Sequence, residues 1–543
     1  MSVISYMDRN LSRLSGARVS SIWKRNPTWA TLPSVSGSQK FAGLYAVFPE
    51  SPFVAFTVSA AYTVDWGDGT TENFTSGATA YHQYSFSDAD LANTDGPVTF
   101  QDSGDTVTRT NHGYADGDVV SFATITSTTG ISTNAPYYVI SATTNTFQLS
   151  TSPGGAAITL TTDGSGTLLA YKQAVIVITP QAANNLTSIN LNVKHNQSGL
   201  NQYASGWLDI AVEGANITTL TVSTSGTRNV EHRLLEKFSL TGNNGITSLA
   251  GAFYNCRQFS SLSALSAASC MNFSSMFSGC VSLGSVPLFN TASGTNFSNM
   301  FINCYSLDSI PLLNTALGTN FSSMFSGCYS LDSIPLLNTA LGTDFSSMFS
   351  GCVSLDSIPL LNTALGTNFS SMFNGCVSLV SAPLFNTSAG TNFSSMFSNC
   401  YSLDSVPLFN TSAGTDFSSM FSGCYSLPSI PLLNTALGTH FASMFNSCSS
   451  LSWLPAINVG AATSSSSYTS MFASCYSLEK IDASGFKYTF SVSSCKLSAA
   501  ALDALYTNLA TVSGQTITVS SNWGTTSDTP SIATNKGWTV TGS

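Results

Sequence analysis

Nine cysteines, from Cys256 to Cys448, recur every 24 residues, and Cys475 follows after 27. A chain with this period must build one small unit many times and stack the copies, because each copy has the same unfinished surface. The unit that begins at Cys328 reads CYSLDSIPLLNTALGTDFSSMFSG. Asp332 to Leu336 reads as a short strand with Leu331, Ile334 and Leu336 as its apolar positions. Asn338-Thr339 and Gly342-Thr343 read as turns. Asp344 then reads as the N-cap of a short helix, Phe345 to Gly351, with Phe345, Met348 and Phe349 on its buried face. The cap position is Asn296, Asn320, Asn368, Asn392, Asp416 and His440 in other units. The helix is expected to end at Gly351, where other units carry Gly or Asn, the residues that most readily take the left-handed conformation.

A single unit is not expected to fold alone. About seven buried side chains do not offset the conformational entropy lost in ordering the unit, so each must bury its flanks on its neighbours. A size exchange suggests where. Units with Phe289, Phe385 or Phe409 after the strand carry Val286, Ala382 or Val406 three residues earlier and Ser293, Ala389 or Ala413 four later. Units with Leu313, Leu337, Leu361 or Leu433 carry Ile and Leu there instead. Conserved volume suggests one shared pocket, and duplication of two unit types explains the same pattern.

Equivalent residues in a stack lie about 4.8 Å apart, within disulfide range. An in-register ladder nevertheless points its thiols in parallel, so buried free cysteines acting as small apolar fillers are expected. No CxxC pair is present to suggest zinc. The string MF-x-x-C-x-S-L-x-x-x-P, as in Met324-Phe325, Cys328, Ser330, Leu331 and Pro335, resembles the BspA-type leucine-rich repeats of bacterial and protist surface proteins and of phage proteins. The resemblance covers residues 249–478 and implies a solenoid. Residues 196–248 read as its N-terminal cap, 249–495 as the repeats and 496–543 as its C-terminal cap. In that last segment Leu497 to Leu509 is expected to be helical, and Thr516 to Ser520 and Trp538 to Thr541 extended.

Only 8% of the residues are charged and the net charge is −10. The surface must therefore be built mostly from Ser, Thr and Asn. Residues 1–40 hold six of the bases (Arg9, Arg13, Arg18, Lys24, Arg25 and Lys40) against Asp8, which leaves the remainder near −15 and excludes nucleic acid as an expected partner of the main body. No signal peptide and no run of 18 apolar residues is visible, so no membrane insertion is expected. Ile4, Met7, Leu11 and Leu14 have helical spacing, and residues 1–40 are read as an attachment segment.

Further along, Asp65-Trp66-Gly67-Asp68-Gly69-Thr70 followed by His82-Gln83-Tyr84 resembles the PKD domain, an immunoglobulin-like β-sandwich. A metal site at Asp65 and Asp68 is conceivable, but a turn held by Asp and Gly is the expected role. The sandwich is assigned to residues 41–95 plus 171–195, with Gln173 to Thr179 supplying its late strand. Between them, 96–170 reads as an inserted β module. Its strings His112-Gly113-Tyr114, Gly117-Asp118, Tyr137-Tyr138-Val139-Ile140 and Asn145 to Ser150 resemble a module recurrent in tailed-phage virion proteins.

No catalytic motif surrounds His82, His112, His195, His232 or His440, and there is no phosphate loop. The expected fold is mainly β with short helices: a PKD-like β-sandwich with an inserted small β-barrel, followed by a leucine-rich-repeat solenoid. The expected function is non-enzymatic and cofactor-free. The resemblances imply a tailed-phage virion protein, a fibre or decoration subunit assembled in the host cytoplasm. Its partners would be other virion proteins through residues 1–40, a host surface glycan or protein, and other copies of itself, a trimer first. A bacterial surface or secreted adhesin is the alternative. Tyr305, Tyr329, Tyr401 and Tyr425 share one repeat position and are the candidate ligand surface, since tyrosine joins an apolar body to a polar tip.

Overall fold

The computed structural model describes residues 30–543 apart from 48–52, 86–91, 115, 117–118, 134, 136, 153, 183, 196–201, 204–205, 224–233 and 243–244. The attachment segment therefore lies outside the described residues as far as residue 29. The chain divides into two compact units, residues 1–247 with 252–267, and 248–251 with 268–543.

In the first unit, alternating and continuous apolar runs give two packed sheets. Strand Phe41–Val47, buried throughout, sits between Gly164–Pro180 and Trp207–Glu213, antiparallel to both. Tyr62–Asp65 pairs with the second half of Gly164–Pro180, Val64 opposite Ile178, so Gln173 to Thr179 shares a sheet with the Asp-Trp-Gly-Asp strand. The other sheet orders Thr219–Thr221, Ser188–Asn190, Phe53–Val58 and Thr79–Gln83. Phe56 of this second sheet packs on Trp66 and Trp207 at 5.6 and 6.4 Å between ring centroids. Such aromatic pairs add about 0.5–1.5 kcal/mol each to the burial of their area.

Six strands close a small barrel beside this sandwich. Ala92–Gln101, Thr106–Thr108, Thr146–Ser150, Tyr137–Ile140 and Val119–Thr126 follow one another, and both ends pair with the first half of Gly164–Pro180. Phe100, Phe122, Phe147, Val139 and Leu168 fill its separate core. The expected borders at 95/96 and 170/171 are corrected by two continuous strands. Ala92–Gln101 crosses the first, and Gly164–Pro180, 17 residues long, crosses the second to serve both modules. The expected N-terminal cap, 196–248, also changes meaning. Trp207–Glu213 is a member of the sandwich sheet, and Lys237–Thr241 and Ser261–Leu265 extend that sheet in parallel.

In the second unit each rung repeats the last almost unchanged, and the expected helix is absent. Gly351 is left-handed, φ 74°, as a helix end would be, but Ser347 has φ 54°, a left-handed residue that the interior of an α-helix cannot contain. Between them the chain makes overlapping turns: the amides of Met348, Ser350 and Cys352 donate to the carbonyls of Phe345, Ser347 and Phe349. The alternate amides point along the stack instead. Phe345, Ser347, Phe349 and Gly351 donate to Asn368, Ser370, Met372 and Asn374 of the next rung at 2.6–3.0 Å. The Asp344 carboxylate accepts from Ser346 N at 2.9 Å, a cap-like bond that starts a turn rather than a helix. Phe345, Met348 and Phe349 are nonetheless fully buried, as the spacing requires. The Phe345 and Phe369 rings stack at 5.8 Å and 7°, and Phe349 on Phe373 at 5.7 Å and 4°.

The extended segment is also not a regular strand in the central rungs; isolated parallel bridges such as Ser381 to Ser405 mark it. Leu331 and Ile334 are buried, but Leu336 is 61% exposed and its neighbour Leu337 fills the interior. The three-position pocket therefore fails at its third member. Leu341, Leu365 and Leu437 face solvent, and only the Ile334 and Leu337 positions share the interior.

Gly342 shows how closely the rungs approach. A methyl group there would lie 2.5 Å from the Phe345 ring, 3.0 Å from the Thr339 carbonyl and 3.1 Å from the Phe321 ring of the preceding rung. The stack ends in a cap made of parallel strands Phe490–Ser491, Gln515–Thr518 and Trp538–Thr541 and of helix Ala499–Asn508, which is N-capped by Ser498 and packs on the short helix Ser531–Thr534 and on Lys480–Ile481.

All twelve cysteines are buried thiols that form no disulfide. Each thiol in the central ladder donates to a carbonyl of the rung before; Cys352 Sγ, for example, lies 3.1 Å from the Phe325 oxygen. Burial pushes the Cys352 thiol up to about 12 and Cys270 up to about 11, so neither is a thiolate at neutral pH. Two outcomes follow. Without reductant, a thiol reagent should find few reactive groups in the folded protein and close to twelve after denaturation; a denatured count near zero would mean disulfides. Gly342→Ala should lower the denaturant midpoint by the equivalent of about 1–3 kcal/mol, since the close contacts include backbone and rings that are already stacked.

Candidate functional site

The residues that differ from pure scaffold lie on one flank of each rung, from the cysteine to the turn at Asn338. Three rows run along it. The first holds Tyr305, Tyr329, Tyr401 and Tyr425, two rungs in succession and then two more. The structure brings Tyr305 and Tyr329 together, ring centroids 4.7 Å apart and 7° from parallel, and Tyr401 and Tyr425 at 5.0 Å and 21°. Only Tyr305 is well exposed, at 37%, whereas Tyr401 is 6% exposed. Burial, helped by the neighbouring Tyr305, pushes the Tyr329 hydroxyl above its ordinary value. The tyrosines thus form two stacked pairs whose edges, rather than whole faces, meet solvent.

The second row is acidic. Asp308, Asp332, Asp356 and Asp404 are exposed, and each accepts a hydrogen bond from the serine that follows it at 2.7–2.9 Å. The third row was not recognised from the sequence as exposed: the leucine after each Pro, from Leu288 to Leu432, is 59–69% exposed. The signal was present in the Pro-Leu-Leu and Pro-Leu-Phe doublets. Two adjacent apolar residues on an extended segment point to opposite sides, so one of them must face water.

In the N-terminal unit the Asp-Trp-Gly-Asp turn is held by its own side chains. Asp65 Oδ1 accepts from Gly67 N at 3.0 Å. Asp68 Oδ1 accepts from Thr70 N and Thr70 Oγ1, and Asp68 Oδ2 lies 2.6 Å from His82 Nε2. His82 also stacks on Trp66 at 4.8 Å and 14°. Both oxygens of Asp68 are thus engaged by protein donors, and no cluster of metal-binding side chains occurs among the described residues. The remaining histidines are not gathered. His112 stacks on Tyr114, His440 contacts Thr439, His195 lies in the short strand Lys194–His195, and His232 lies outside the described residues. A cavity of about 500 Å³ opens on the barrel between Pro97, Thr108, Arg109, Thr124, Ser165 and Thr167. Among the described residues, no helix is long and apolar enough to cross a membrane.

The architecture is that of a leucine-rich-repeat-like β-solenoid, mainly β with few helices. A family profile described as "Mycoplasma protein of unknown function, DUF285" matches it in four overlapping stretches, residues 247–362, 319–429, 343–456 and 367–486. Among solved structures, a leucine rich cell surface protein from Faecalibacterium prausnitzii A2-165 aligns at 21% identity and a TM-score of 0.35, covering 56% of this chain and 86% of its own. A leucine-rich repeat protein from Eubacterium ventriosum aligns at 14% identity and a TM-score of 0.31, covering 55% of this chain and 88% of its own. No curated protein matched.

Burial opposes ionisation of Asp68, but the hydrogen bonds from Thr70 and His82 outweigh it and hold the carboxyl below the usual carboxylate range. A depressed folded-state value stabilises above the unfolded value, about 4, and that stabilisation is lost as pH falls through the folded value. Asp68→Asn should therefore unfold the N-terminal unit at lower denaturant than wild type at pH 7, with a smaller gap at a pH below the carboxylate range. A gap of equal size at both pH values would assign the turn's stability to something other than the carboxylate.

Proposed function

We propose that the protein is a non-enzymatic adhesin, displayed on a surface, whose solenoid flank meets an extended ligand. The observation that carries this reading is the repetition itself. Rung after rung presents tyrosine or valine and a leucine in register, with an aspartate in four of the seven, so the flank offers a periodic strip rather than a single pocket. A strip of this kind suits a surface polymer, a glycan or a protein, and solenoids characteristically bind along such extended faces. The exposed tyrosine edges supply hydrogen-bonding groups and a narrow apolar contact for sugars.

A second setting, a fibre or decoration protein of a phage particle, is favoured by one observation. The segment that carries the phage-like strings folds as a closed barrel with its own core. In that setting residues 1–40 attach the protein to the particle and the solenoid points outward.

The adhesin reading predicts that replacing Tyr305, Tyr329, Tyr401 and Tyr425 by Val reduces attachment of the purified protein to target cells at least severalfold. The melting temperature should barely move, because other rungs carry Val at that position. Normal attachment by a folded variant would leave the tyrosines as packing residues only. The two settings separate on immunogold labelling of producing cells: cell envelope for an adhesin, particles for a virion protein. Removing residues 1–40 should abolish incorporation into particles if those residues are the anchor.

A further inference from the structure

We propose that the exposed leucine row of the solenoid is an interface between two copies of this chain. The row comprises the leucine after each Pro, seven positions from Leu288 to Leu432 at 24-residue intervals, each 59–69% exposed. Leu317, Leu341, Leu365 and Leu437, 42–56% exposed, add a second set just beyond the Asn turn. Large apolar side chains that repeat without interruption over seven rungs are not the scattered exposure of an ordinary surface. Contiguous apolar patches of several hundred Å² mark sites of association.

Area identifies what can cover it. At roughly 100 Å² of exposed surface per leucine, the seven offer about 700 Å². With the half-buried prolines beside them, the patch approaches the ~800 Å² per partner of a stable interface. A small ligand cannot cover a strip so long. The period then selects the occupant. The gaps between leucines repeat at the rung spacing, which is fixed by the same stacking that holds Phe345 and Phe369 at 5.8 Å. To fill every gap a partner must present apolar groups at that spacing, and a second copy does so by construction. A two-fold arrangement brings the same row of each copy against the other, as closed homo-oligomers require. The interior of the patch carries no charge. Asp308, Asp332 and Asp356, four residues before their leucines, form the polar rim that such interfaces have. This inference does not depend on the ligand reading, since it needs no ligand.

Sedimentation velocity on the full chain, from about 1 to 100 μM in the absence of any ligand, tests it. The expected result is a mass of two chains at the upper end of that range. The combined substitution Leu312→Gln, Leu336→Gln, Leu360→Gln and Leu432→Gln should weaken association by at least about a hundredfold. Its thermal midpoint should stay close to wild type, because these side chains fill no interior space. A single-chain mass at every wild-type concentration overturns the proposal, as does a folded variant that still sediments as two chains. Hydrogen exchange on the wild type guards against a variant that fails to fold. Protection gained with concentration should fall on residues 333–341 and their equivalents, and gain confined to other segments counts against the row.

Discussion

Every rung depends on two left-handed residues. Ser347 and Gly351, with their equivalents at each step, turn the chain so that successive amides alternate between a local turn and the next rung. Four amides in seven residues thereby leave the segment and join it to its neighbour. Each such bond contributes about 0.5–1.5 kcal/mol net, and the buried amides cannot be left unpaired without a larger cost. A helix would keep those bonds to itself and leave the rungs joined only by side chains. The left-handed turns make the stack continuous, and every other row in the molecule inherits its register.

That register accounts for the side chains. Once Phe345 is held one rung from Phe369, a second ring fits only stacked, and glycine at position 342 is the only residue that leaves room. The cysteine sits where its thiol reaches the carbonyl of the rung before, so it serves as both a small filler and a donor. Disulfides would need two thiols to face each other, which the parallel ladder prevents. Outward-facing positions are multiplied by the same register, so a single exposed leucine or aspartate becomes a row. The surface properties of the solenoid are therefore amplified from a handful of residues in one unit.

Much of this was legible in the sequence. The period gave the stack, the spacing of Phe345, Met348 and Phe349 gave the buried face, and the parallel-thiol argument gave free cysteines. The helix was misread because spacing at i, i+3 and i+4 is shared by a helix and by a pair of tight turns; burial alone does not separate them. The serine at 347 carried little warning, since serine rarely takes a positive φ. Its counterpart Asn299, with φ 56°, and the Gly or Asn at 351 were the available signals. Leu336 was misplaced because Leu337 beside it satisfies the same apolar pattern one residue later. In the N-terminal unit the pairing of Gln173 to Thr179 with the Asp-Trp-Gly-Asp strand was legible, but the sharing of the long strand Gly164–Pro180 by sandwich and barrel was not. Sequence marks where strands occur, and nothing in this one tells where a sheet ends.

The left-handed turn can be tested at Ser347 by comparing Ser347→Gly with Ser347→Ala in equilibrium denaturation. In a helix alanine is favoured over glycine by about 1 kcal/mol. At a left-handed position the order reverses, because a Cβ there costs roughly 1–2 kcal/mol that glycine avoids. The structure predicts a higher denaturation midpoint for Ser347→Gly than for Ser347→Ala, since alanine keeps the Cβ that serine already carries and glycine removes it. Ser347→Ala more stable than Ser347→Gly would contradict the turn and restore the helix.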